Sequence, residues 1–218
     1  MRKRFDEQLN ELNQEMIHMG NIIEQAIENA LDALIHKDIK KANEIIKSDN
    51  EIDRQERKIE NLCLQLLLQQ QPVAKDLRFI SATLKMITDM ERIGDHATSI
   101  AELTIETVNQ AHIKKLDHIE QMAKETIIML INCLKSYIAQ NLEIAEKVIE
   151  HDEKVDKLFF RVKKDLIQMI HEDCECGEDA TNLLLIAKYL ERIADHAVNI
   201  AKWIVFSITG KHEKLSIQ

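Results

Sequence analysis

An all-α fold is what this sequence predicts, arranged as two tandem three-helix bundles related by internal duplication. Three observations carry that expectation. The 218 residues include one Pro and four Gly, and Ala, Leu, Ile, Glu, Lys and Gln dominate, a composition of helix formers with few breakers. Apolar residues recur at steps of three and four. The segment Glu91-Arg92-Ile93-Gly94-Asp95-His96-Ala97-Thr98-Ser99-Ile100-Ala101 returns as Glu191-Arg192-Ile193-Ala194-Asp195-His196-Ala197-Val198-Asn199-Ile200-Ala201.

Six helices are expected in order. The first, Arg4–His36, carries the stripe Leu9, Leu12, Met16 and Met19. The second, Asp38–Gln70, repeats the spacing in Ile39, Ala42, Ile45 and Ile46 and stops before Pro72. The third, Val73–Gln110, sets Met86, Met90, Ile93, Ala97, Thr104 and Val108 on one side. The fourth, Lys114–Gln140, holds the apolar stretch Thr126–Leu134. The fifth, Leu142–Glu172, repeats the pattern in Leu142, Ala145, Val148 and Ile149, and a polar, Cys-bearing stretch then leads to Gly177. The sixth, Glu178–Thr209, ends at Gly210, where a C-terminal glycine is expected. Ile39 aligns with Leu142 and Asp53 with Asp156, whereas Glu91 aligns with Glu191. The second hairpin is therefore the shorter, by three residues near its turn. Domains of residues 1–112 and 113–218 result, divided near Ala111–Ile113. Each is long enough for its own core, and the first and fourth helices, apolar on more than one face, are expected to pack the bundles together.

Bulk properties exclude several classes. The formal net charge is -9 and the pI about 5.5. The one basic cluster, Met1-Arg2-Lys3-Arg4, is short, so nucleic acid is not an expected partner. No apolar run reaches the roughly 18 residues of a bilayer span. Phe5-Asp6-Glu7-Gln8 after the basic start is no leader core. A cytoplasmic protein is expected, with no membrane insertion but with peripheral docking on membrane proteins open to it. Cys63 and Cys133 lie in apolar helical stretches and read as small core residues. Cys174-Glu175-Cys176 lacks the spacing of a zinc or redox motif and reads as an exposed turn, His171 notwithstanding. All four thiols suit a reducing compartment.

The acids carry the functional signal. Asp49 and Asp53 echo in Asp152 and Asp156, and Glu91 and Asp95 in Glu191 and Asp195. Residues four apart on a helix lie about 40° apart, where like charges repel by roughly 0.2–0.5 kcal/mol. Pro72 lies midway between Asp53 and Glu91 and between Asp49 and Asp95, so an antiparallel hairpin brings each pair level. In the second half the matching midpoint falls between Asp173 and Cys174. Glu91 and Asp95 lie about 120–160° from the apolar stripe of their helix, with Glu102 near Glu91. The acids should flank a surface groove. Gly94, Ala97 and Ala101 form a small-residue seam whose expected benefit is close approach of the second helix. Mid-helix Gly otherwise costs about 1 kcal/mol against Ala.

Clustered carboxylates without thiolate suit hard cations: Mg, Mn, Ca or ferric iron, with zinc admissible. The ordinary alternative is a solvated acidic face, since acid pairs four apart also occur at Glu7/Glu11, Glu24/Glu28, Glu56/Glu60 and Glu146/Glu150. His96 and His196 each follow the second acid, about 100° around the helix. Packing, or support from behind the ligands, is expected of them ahead of ligation. Arg92 and Arg192 offset repulsion, meet a partner or form local ion pairs.

Gln70-Gln71-Pro72-Val73-Ala74-Lys75-Asp76-Leu77-Arg78, with Glu91-Arg92-Ile93-Gly94-Asp95-His96-Ala97 and its repeat, resembles the motifs of the PhoU family of bacterial phosphate-signalling proteins. The resemblance covers nearly the whole chain and implies two three-helix bundles. It implies a negative regulator of the phosphate-starvation response, coupling the high-affinity phosphate ABC transporter, through its ATPase subunit, to a sensor histidine kinase. It also implies a cytoplasmic protein, a homodimer, and multinuclear iron or zinc clusters. One cluster would use Asp49, Asp53, Glu91 and Asp95. The other would use Asp152, Asp156, Glu191 and Asp195. Glu102, Asn199, His96 and His196 would be additional ligands or supports. The family's Asn-x-x-Glu after Asp-His-Ala is incomplete in both copies: Ser99 with Glu102, then Asn199 with Lys202. Lys202 puts positive charge at the second acid face, which implies fewer metal ions there or none.

Two other readings compete. A carboxylate-bridged di-metal enzyme needs inward Glu-x-x-His pairs on two helices, and only Glu15-Met16-Ile17-His18 has that spacing near a plausible helix. A metal-free helical adaptor needs only that the acids be solvated.

Overall fold

The computed structural model describes residues 2–70, 73–107 and 117–211. Six helices are found among them: α1 (Arg2–His36), α2 (Ile39–Gln70), α3 (Ala74–Thr107), α4 (Asp117–Ala139), α5 (Leu142–Glu172) and α6 (Gly177–Thr209). A short 3-10 turn, Cys174–Cys176, precedes α6, and no strand occurs among the described residues. Pro72, Val108, the segment to Gln110, the division at Ala111–Ile113 and the expected helix start at Lys114 lie outside the described residues.

The chain reverses by the same local device after α1 and after α4. Lys37 and Gln140 take left-handed backbone, with φ 54 and 49. Asp38 N–H then donates to Ala33 O at 2.9 Å, and Asn141 N–H to Ser136 O at 3.1 Å. These six-to-one bonds close the helix end. The same two residues cap the next helix in each half: Asp38 Oδ1 accepts from Lys41 N at 3.0 Å, and Asn141 Oδ1 from Ile144 N at 3.3 Å. Left-handed backbone at a non-glycine costs about 1–2 kcal/mol, which a cap worth about 1 kcal/mol largely offsets. At the far end Gly210 closes α6, its N–H donating to Phe206 O at 2.8 Å.

Within each half the three helices pack mutually, α1 with α2 and α3, and α4 with α5 and α6. One continuous aliphatic and Met-rich core results, including Leu12, Met16, Met19, Met86, Met90, Met122, Met129, Ile186 and Ile193. Each such side chain contributes roughly 1.5–3 kcal/mol by leaving water. Cys63 and Cys133 are fully buried, as expected. Burial pushes the Cys63 thiol up to about 12. Cys176 departs from the expected exposed turn. The 3-10 turn rolls it inward to 3% exposure, and Cys174 alone of that pair faces solvent.

The halves join through α1 on α4 and α3 on α6. Gly20 lets α4 approach so closely that a Cβ there would lie 2.1 Å from Leu134 Cδ1. Tyr137 of α4 is buried against Thr83 of α3, hydroxyl to hydroxyl at 3.0 Å, and its ring stacks on Phe79 at 4.9 Å. The long helices α3 and α6 run antiparallel. Arg78 near the start of α3 lies against Gly210 at the end of α6, and Asp89 meets both His196 and Asn199. The turns of the two α-hairpins therefore point to opposite ends of the molecule.

Candidate functional site

The register of α2 against α3 is fixed by two hydrogen bonds. Thr98 Oγ1 donates to Asp49 Oδ1 at 3.1 Å, and Thr88 Oγ1 to Glu56 Oε1 at 3.4 Å. Asp53, Glu91 and Asp95 fall between these brackets. The close approach expected at Gly94 is present, since a Cβ there would lie 2.5 Å from Ile52 Cδ1 of α2. Gly94 and Ile52 are buried, while Glu91, Asp49 and Asp53 are half-buried and Asp95 is exposed. The acids line the mouth of a groove above a dry seam.

Their charges act on one another. Burial, then Asp95, Glu56 and Asp53, pushes Glu91 up to about 7. Burial, then Asp49 and Asp53, raises Asp95, with Arg92 pulling the other way. Glu56 is raised by burial and then by Glu60 and Asp53, against its Thr88 hydrogen bond. Glu56 is thus a member of the first cluster, although its own pair four apart, Glu56/Glu60, has no counterpart in the second half and reads as a solvated face. Its signal was present in the sequence: it lies three residues after Asp53, on the same helix face.

The second cluster has the same skeleton. Burial, then Asp156, Asp195 and Glu191, raises Asp152 to about 6, while Lys202 opposes the rise. Asp156 and Asp195 are each raised by burial and then by Glu191, and Lys188 opposes both shifts. Lys188 Nζ lies 2.5 Å from Glu191 Oε2, a charge contact set off the hydrogen-bond direction. Lys188 also escaped the sequence reading, although it stands only three residues before Glu191.

His96 and His196 do turn from their neighbouring acids, and the structure shows where they go. They meet each other across the α3–α6 interface, ring centroids 5.5 Å apart, and His96 also lies 5.4 Å from the Tyr189 ring. His196 Nδ1 lies 2.8 Å from Asp89 Oδ1. Asn199 Nδ2 donates weakly to the same oxygen at 3.5 Å. Burial, then His196, Arg192 and Arg92, pushes His96 down to about 4, so it is neutral at pH 7. These residues fasten one bundle to the other. Glu102 is exposed, two turns past Asp95, about 10 Å along the axis.

An all-carboxylate donor set on two adjacent helices suits a hard cation. As the side chains stand, no three His, Cys, Asp or Glu groups among the described residues converge as a metal site requires. No helix among the described residues is long and apolar enough to cross a membrane.

A family model described as the PhoU domain matches the chain twice, over residues 16–104 and 119–204. A relative from Clostridium acetobutylicum, named phosphate-specific transport system accessory protein PhoU homolog, is 37% identical over 99% of each chain. The crystal structure of PhoU from Pseudomonas aeruginosa has TM-score 0.89 and 27% identity, covering 95% of this chain and all of that one. The crystal structure of the phosphate transport system regulatory protein PhoU from Streptococcus pneumoniae has TM-score 0.87 and 31% identity, covering 97% of this chain and all of that one. With both bundles matched and whole relatives aligned end to end, the chain belongs to the PhoU family.

Proposed function

We propose that this chain is a cytoplasmic negative regulator of the phosphate-starvation response, coupling the high-affinity phosphate ABC transporter to a sensor histidine kinase. The observation that carries this reading is the full-length likeness to relatives named as accessory or regulatory proteins of phosphate transport. The chain acts by docking on the transporter ATPase subunit and on the kinase, as a homodimer. Acid-x-x-x-acid carboxylates take up iron or zinc, or Mg, Mn or Ca, and in the first bundle the bound metal adds a bridge between α2 and α3.

Deleting the gene is expected to derepress phosphate-starvation transcription in phosphate-rich medium. Unchanged transcription defeats the regulatory reading. Pull-down with the ATPase subunit and with the kinase sensor domain is expected to recover both, and recovery of neither removes the coupling. The metal-free adaptor is kept as a second reading because the acid side chains do not converge. Elemental analysis of protein purified without chelator separates the two.

A further inference from the structure

Among the matched positions at which the two acid clusters differ, three raise the charge of the second, whereas Arg57 and Asn50 correspond to Phe160 and Glu153, which lower it. Thr88 of α3 corresponds to Lys188 of α6, and Glu102 to Lys202. On the facing helices Glu56 of α2 corresponds to Phe159 of α5. The first bundle thus gathers Asp49, Asp53, Glu56, Glu91 and Asp95, and among the described residues no lysine or arginine forms an ion pair with any of them. Arg92, which acts on Glu91 and Asp95, and Arg57, which acts on Glu56, are both exposed.

The second bundle gathers Asp152, Asp156, Glu191 and Asp195 around two ammonium groups. Lys188 is held on both sides, by Glu191 Oε2 at 2.5 Å and by the Phe159 ring, whose centroid lies 5.7 Å from Nζ. The ring occupies the position from which the first bundle offers a carboxylate. It gives the ammonium a π face to rest on. The Glu191 side chain in this contact is 16% exposed, so the pair is screened less than a surface pair. Lys202 is half-buried and lies seven residues after Asp195, on the same face of α6, beside the end of the cluster that holds Asp152.

We infer that Lys188 and Lys202 are built-in cations of the second cluster that exclude metal from it, so that metal taken up by the chain goes to the first bundle alone. A divalent ion entering the second groove would have to displace an ammonium from its carboxylate and from Phe159. It would meet four carboxylates already half balanced. In the first groove it meets five with no such balance. The part concerning the first bundle rests on the proposed metal function, whereas the exclusion by lysine does not.

Two measurements separate these parts. The first uses chelator-treated protein at pH 8 and low ionic strength. E91Q removes an uncompensated charge and is expected to raise Tm by about 2–4 °C. E191Q strands Lys188 and is expected to lower Tm. A rise in both variants overturns the inference. The second measurement is equilibrium dialysis against Zn(II) and Mn(II) with elemental analysis, folding being checked by circular dichroism. The double variant K188T/K202E gives the second cluster the first bundle's residues at two of these three positions and is expected to take up more metal than wild type. Adding E191Q is expected to abolish that gain. No gain in K188T/K202E overturns the inference, whatever the first cluster binds. In wild type, metal lost in E91Q and retained in E191Q supports it, and equal loss in both overturns it. Wild type without metal, beside a K188T/K202E variant that binds, supports the exclusion and defeats only the metal part of the proposed function.

Discussion

The two hairpins solve one steric problem with a methylene moved across the interface. In the first, Gly94 of α3 faces Ile52 of α2. At the equivalent positions of the second stand Ala194 and Val155, both fully buried. Glycine with isoleucine and alanine with valine carry the same number of side-chain carbons. The summed bulk at the crossing is held while its division between helices is free. Charge above the crossing is not held in this way: Thr88, Glu102 and Glu56 stand where the second half has Lys188, Lys202 and Phe159. Duplication has preserved packing and released electrostatics, as expected if a close-packed seam tolerates only volume-conserving exchange.

The largest test of that comparison overfills the seam. Gly94→Leu should destabilise by about 3 kcal/mol in chemical denaturation, since overpacking costs about 1–3 kcal/mol and the nearest atom belongs to a buried Ile. Ile52→Ala in the same chain should recover part of that loss, and a double-mutant cycle without coupling would break the exchange argument.

Smaller is the loss of a buried carboxylate that pins the outer helix. Glu125 of α4, with its side chain 9% exposed, holds His151 Nε2 and Lys154 Nζ of α5, each at 2.7 Å. In the other half Glu15 of α1 plays this part with Lys58 at 2.8 Å and with Gln55. Glu125→Gln should cost about 1–2 kcal/mol, below a fully buried pair because Lys154 is half exposed. Glu15→Gln should cost less, since the Glu15 side chain is 17% exposed against 9% for Glu125. The reverse order would show that the pins, too, have exchanged weight.

Smaller again is Ala194→Gly, which should cost about 1 kcal/mol through helix propensity. Gly94→Ala should be near neutral, because the far end of Ile52 can rotate, and should become stabilising by up to about 1 kcal/mol once Ile52→Val is present.

The subtlest difference is one of pH. Glu91 in the folded protein is raised from 4.5 to about 7, so the native state holds the extra proton between these values. Its contribution must then decline as pH rises through that window, and Glu91→Gln should flatten the decline in Tm of chelator-treated protein. Glu125 shows the opposite sign. Burial acts to raise it, but the Lys154 and His151 hydrogen bonds outweigh burial and lower it below 4.5. Its contribution is present above 4.5 and fades as pH falls through the lowered value.

Much of this was legible in the sequence because it is local. Helix periodicity placed all six elements, and the matched spacing about Pro72 levelled Asp53 with Glu91. A costly mid-helix glycine marked the crossing at Gly94. One turn of helical geometry was enough to aim His96 and His196 away from the acids. Their destination was not legible. Asp89 meets His196 only because two helices a hundred residues apart run antiparallel, and no local pattern encodes that register. Cys176 was misjudged because a polar stretch hides a 3-10 turn that rolls one thiol inward. Glu56 and Lys188 stand three residues from Asp53 and Glu191, but neither is repeated in the other half, so the duplication does not mark them.

The opposed directions of α3 and α6 have a further consequence. A helix of this length spans about 50 Å, so the chain is a beam with a like fitting at each end. Leu68 and Leu77 are bare at one end, and Ile167 and Ile170 at the other. Two bodies can meet such a beam at opposite ends without touching each other.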